Sequence, residues 1–109
     1  MFAITYCKGF HITFPNGLTL STQFGSGNYC DNHDIEIGVK TQKVKSQNVE
    51  IAIWDKEGAW LTKQTYEEKF NKEIGDDVAG YVEIEEWLEI VDWCREYKQE
   101  KVIKRESEE

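Results

Sequence analysis

The chain predicts an α+β domain: a small antiparallel sheet of about four or five strands, one long C-terminal helix packed on it and one short helix. Apolar residues alternate at period two over 10–24 and again over 49–61, and recur at intervals of three and four over 83–98. In 109 residues, 39% hydrophobic and 13% aromatic side chains suffice for one core, because a chain of this length buries roughly two thirds of its unfolded surface. Residues 1–102 are therefore read as a single domain and the charged residues 103–109 as a frayed tail.

Residues 2–7 form a weak strand candidate. From Phe10 to Phe24 the apolar positions alternate around Pro15-Asn16-Gly17. A two-residue loop would set Phe14 opposite Thr19 and mix the faces, whereas a three-residue loop pairs Phe14 with Leu18, Ile12 with Leu20 and Phe10 with Thr22. The prediction is a type I turn with Gly17 in the left-handed position of a bulge. Residues 35–40 are a further weak strand. Val49, Ile51 and Ile53 alternate into a turn at Asp55–Gly58, and Ala59-Trp60-Leu61 returns, with Ile53 opposite Trp60.

Thr65 with Glu68 matches a capping box, and Tyr66, Phe70 and Ile74 recur every four residues before Gly75, which predicts a short helix over 66–74. Gly80-Tyr81-Val82 reads as a brief extended piece. The long helix runs from about Glu83 to Tyr97 or Lys98, with Ile84, Trp87, Leu88, Val91 and Cys94 as its buried stripe. A second stripe, Glu86, Ile90, Trp93 and Tyr97, points well away from the first. It lies either under helix 66–74 or the tail, or beside Glu89, Asp92 and Glu96 as a partner-binding patch with aromatic anchors.

Charge names the kind of partner. Residues 65–109 hold 15 acids against 7 Lys and Arg, and residues 1–64 hold 6 of each, so the whole net charge of −8 lies in the C-terminal part. Such a surface repels nucleic acid and attracts basic protein. No apolar run reaches the roughly 20 residues of a membrane span, and three cysteines without a CxxC pair read as reduced thiols, so a cytoplasmic protein is expected.

No catalytic, metal or cofactor motif stands out. Gly25, Gly27, Asn28, Tyr29, Asp31, Asn32 and His33 lie in the one long polar, glycine-bearing loop, which suits either an ordinary structured loop or an anion contact through exposed N–H groups. No Lys-Ser or Lys-Thr follows, so it matches no P-loop. Cys7, His11, Cys30 and His33 carry zinc-type donors, but in extended chain Cys7 and His11 stand about 13 Å apart, too far for two ligands. Cys30 beside His33 suggests a thiol and its base, without a third residue to orient the histidine.

The runs Lys8–Phe14, Asn16-Gly17, Gln23–Gly25 and Gly27–Asn32, with Glu50–Asp55 and Gly80–Trp87, resemble small proteins of bacteriophages and mobile elements. That resemblance implies a host-directed inhibitor, such as the anti-CRISPR proteins that occupy nucleic-acid channels, acting in the host cytoplasm. Together with the charge, the leading expectation is inhibition of a host defence (CRISPR-type) nuclease through its basic surface, with a possible homodimer through Trp93. The alternative is a module that binds or sequesters a nucleotide messenger or another small ligand in the 25–34 loop.

Overall fold

The computed structural model describes residues 1–5, 8–25, 28–33 and 45–98. Five strands, β1 (Phe2–Thr5), β2 (Gly9–Thr13), β3 (Thr19–Gln23), β4 (Val49–Trp54) and β5 (Ala79–Val82), form one antiparallel sheet in chain order. Two helices, α1 (Thr62–Phe70) and α2 (Ile84–Glu96), complete the α+β fold that the sequence predicts. The candidate strand at 35–40 and the tail lie outside the described residues.

The first hairpin forms as its register requires. Ile12 pairs with Leu20 and Phe10 with Thr22. The Phe14 N–H donates to Leu18 C=O at 2.8 Å, and Gly17 sits at φ +92°, where a side chain is disfavoured. Leu20 then lies beside Ile53 and Thr22 beside Ile51. These side chains share one face of the sheet, and Leu18, Leu20, Ile51, Ile53, Tyr66, Val82, Ile90 and Cys94 make the core.

The second hairpin departs from expectation. Its return is a single bridge of Trp54 to Trp60, not Ile53 to Trp60, and β5 takes the place beside β4. The Asp55 carboxylate accepts from the N–H groups of Glu57 and Ala59, both at 2.9 Å, and so tightens the turn by one residue. Helix α1 correspondingly begins at Thr62, three residues before the predicted cap. Thr62 Oγ1 accepts the Ile53 N–H at 2.9 Å, and Thr65 donates to Leu61 C=O at 2.8 Å instead of capping. The helix ends at Asn71 in the left-handed conformation, well before Gly75.

Both ends of α2 fall where predicted, and Cys94, Trp87 and Val91 of its expected stripe pack against the core, but the rest of that stripe does not. Ile90 and Cys94 are fully buried, whereas Ile84 and Leu88, assigned to the core, are 67% and 46% exposed. At 100° per residue this is a rotation of roughly a quarter turn. The cause is α1, which lies beside α2: the Tyr66 hydroxyl donates to Glu86, and Trp93 Nε1 donates to Glu68 Oε1 at 3.1 Å. A helix held by both a sheet and a neighbour buries the side between them, here the Glu86, Ile90, Trp93 and Tyr97 stripe. On its other flank, Trp87 donates from Nε1 to Thr22 Oγ1 at 2.9 Å and meets Phe10 edge to face. Asn16 Nδ2, in the first turn, donates to the carbonyls of Cys94 and Tyr97, satisfying the orphan end of α2.

Candidate partner-binding face

Of the residues proposed for partner contact, Ile90 is removed by the structure: it has no exposure and belongs to the core. Trp93 and Tyr97 are half-buried and pack against that core, 5.1 Å from each other, so they are not the free aromatic anchors the sequence suggested. Glu86 is half-buried and accepts from Tyr66. The Tyr66 phenol is pushed well above its ordinary pKa by burial and then by Glu86, so it stays a donor. Burial likewise raises the Tyr97 phenol, with the carboxylates of Asp55, Glu68 and Glu57 adding to it.

The outward carboxylates of α2 form a single row, Glu85, Glu89, Asp92 and Glu96, spaced by four, three and four residues. Glu85, Glu89 and Glu96 are exposed and Asp92 is half-buried. Among the described residues, the cations paired with this row are Lys69, 3.1 Å from Glu89, and Arg95, 3.2 Å from Asp92. Both pairs are solvent-facing and worth little. The exposed Glu67, Glu68 and Glu73 of the α1 region extend the acidic surface, and Ile84 and Leu88 edge it with apolar surface on the side away from α1. Under Ile84 opens an apolar cleft of about 200 Å³, walled by Phe10, Phe24, Val49, Val82 and Trp87.

The 28–33 loop is built differently. The N–H of Asn28 donates to Gly25 C=O, that of Tyr29 to Glu50, that of Cys30 to Asn28 C=O, that of Asp31 to Asn48, and that of His33 to Cys30 C=O. These donors are thus engaged inside the fold and form no cradle for an anion. Cys30 is buried, accepts from the Gly25 N–H at 3.4 Å and donates to Asn32 Oδ1 at 3.0 Å, as a packing residue does. Asn32 Nδ2 in turn holds the Lys45 carbonyl at 2.8 Å, and the Tyr29 and His33 rings stack 6.5 Å apart. Gly27, like Cys7, lies outside the described residues. His11 stands on the opposite face of the sheet from the core, edge-on to Trp54 at 5.1 Å. No group of three His, Cys, Asp or Glu among the described residues is placed to hold a metal ion, and no helix among them is long and apolar enough to cross a membrane.

The sequence missed Asn16, Tyr66 and Lys69 as the residues that fix α2 and its charges. Only the Pro-Asn-Gly turn signal marked Asn16, and for a different purpose. Searches of protein-family models, curated proteins and solved structures find no match to this chain in any of the three comparisons.

Proposed function

We propose that this protein acts by binding rather than by catalysis, setting the acidic outer face of α2 against a basic surface of another protein. The row Glu85, Glu89, Asp92 and Glu96 carries this reading. Like charges three or four residues apart each cost a helix about 0.2–0.5 kcal/mol, so the row weakens the fold that bears it, and a basic partner removes that cost. Four charges over about 16 Å of helix approach the density of one DNA strand, one charge per roughly 3.4 Å. A groove that binds nucleic acid therefore suits the row. Ile84 and Leu88 replace Trp93 and Tyr97 as the apolar contacts beside it, while the carboxylates steer association.

The phage resemblance makes a host defence nuclease of the CRISPR type the first partner to try. For the nucleotide-sequestering alternative, the backbone N–H groups of residues 28–31 and 33 are engaged within the fold, and Asn28 Nδ2, buried without a hydrogen-bond partner, is the observation on its side. Affinity purification from host lysate with the wild type and with the Glu85→Lys, Glu89→Lys, Glu96→Lys variant tests the proposal. A basic nucleic-acid-binding protein should be recovered with the wild type and lost with the variant, whose circular dichroism stays unchanged. Equal recovery with both removes the acidic face from the account.

A further inference from the structure

We infer that the open edge of β1 is an interface for a second copy of this chain. The two edges of the sheet are finished differently. At β5, the 28–33 loop docks on the edge: the Tyr81 N–H donates to Tyr29 C=O at 2.8 Å, and a Cβ on Gly80 would stand 2.6 Å from Tyr29 Cβ. At β1 no described segment does this. Met1 and Thr13 exchange both backbone hydrogen bonds, at 2.8 and 2.9 Å. The alternation of an antiparallel ladder then turns the N–H and C=O of Phe2 and Ile4 outward.

The same two residues carry the side chains, 78% and 84% exposed, on the helix-bearing face of the sheet, since Phe2 lies beside Ile12 and Ile4 beside Phe10. Natural edge strands are blunted by charge, proline or a bulge. Phe2-Ala3-Ile4-Thr5 has neither charge nor proline, and its pairing with β2 runs without a register break.

The strand is also complementary to itself. A two-fold axis through Ala3 sets Phe2 opposite the partner's Ile4 and Ile4 opposite the partner's Phe2. Four outward backbone groups of each copy then close four hydrogen bonds, with all the large side chains on one face. The result is a ten-stranded sheet with the Phe2 and Ile4 side chains of both copies brought together on its helix-bearing face. Both acidic rows then lie on the same side of the sheet.

Each copy carries a net charge of −8, so this pairing strengthens as salt screens repulsion, opposite to the binding of a basic partner. Light scattering or sedimentation of the full chain, carrying no N-terminal tag, tests it from about 1 µM to about 1 mM. The mass should rise from 12.8 kDa toward twice that value, at lower concentration in high salt. Ile4→Pro, which removes one outward N–H, should raise the dissociation constant at least about tenfold with unchanged circular dichroism; Ile4→Lys serves if the proline disturbs β1. A single-chain mass throughout overturns the inference and leaves the edge to an extended segment of another protein. A dimer indifferent to both variants also overturns it. Neither result touches the basic-partner reading, whose variants lie on α2.

Discussion

The 28–33 loop and the outer face of α2 are both rich in polar groups, and they differ in what those groups do. In the loop, backbone donors and the side chains of Cys30, Asn32, Asn48 and Glu50 make hydrogen bonds within the fold, and Asn28 Nδ2 is the buried exception. On α2, Glu85 and Glu96 have no ion-pair partner among the described residues, and Glu89 and Asp92 have only solvent-facing ones. Polarity alone therefore does not mark a binding surface. Polar capacity that the fold leaves unused is what recommends the α2 row as the proposed site, while in the loop Asn28 Nδ2 is buried without a partner.

The widest separation lies within α2 itself. Ile90→Ala should cost about 3 kcal/mol, because a buried aliphatic side chain leaves a cavity. Leu88→Ala, on the exposed side, should stay within about 0.5 kcal/mol. Chemical denaturation of the two variants checks the rotation directly, and equal costs would return Leu88 to the core. Next comes the loop: Asn48→Ala removes the acceptor of the Asp31 N–H, 2.8 Å away, from a buried position. It should cost about 1–3 kcal/mol without altering partner recovery, whereas reversing the α2 row should do the opposite.

Tyr66 supplies a pH test of the α1–α2 contact. Its folded pKa is raised above the unfolded value of 10.0, so its contribution is complete below that pH and is lost as pH rises beyond it. The slope is about 1.4 kcal/mol per pH unit for one proton. Tyr66→Phe should remove this share of the alkaline decline, as urea titrations between about pH 9 and pH 11 would show. The smallest effect is chemical. Burial pushes the Cys94 thiol up to about 12, so at about pH 8 it should resist alkylation until the protein is unfolded, as peptide mass mapping would record.

How much of this could be read from residues depends on how local each feature is. The Phe10–Phe24 hairpin was legible because turn geometry and two-residue alternation fix it within fifteen positions. The ends of α2 were legible for the same reason. The face α2 buries was legible only in part: Trp87, Val91 and Cys94 pack as expected, but Ile84 and Leu88 are as apolar as Ile90, Trp93 and Tyr97, and only the position of α1 decides between them. Similarly, the Thr62 and Thr65 hydroxyls act on Ile53 and Leu61 rather than on a helix cap, a choice set by tertiary contact. For the proposed partner face, the charge asymmetry announced that α2 is acidic, whereas the exposed apolar neighbours are Ile84 and Leu88 rather than Trp93 and Tyr97.

The most direct test of the central claim is the salt dependence of the association rate between this protein and the partner recovered through it. If the α2 row steers binding, the wild-type rate should fall at least about tenfold between roughly 0.05 and 0.5 M NaCl, and the Glu85→Lys, Glu89→Lys, Glu96→Lys variant should be slow and nearly flat over that range. Identical rates and slopes for the two proteins would contradict the claim.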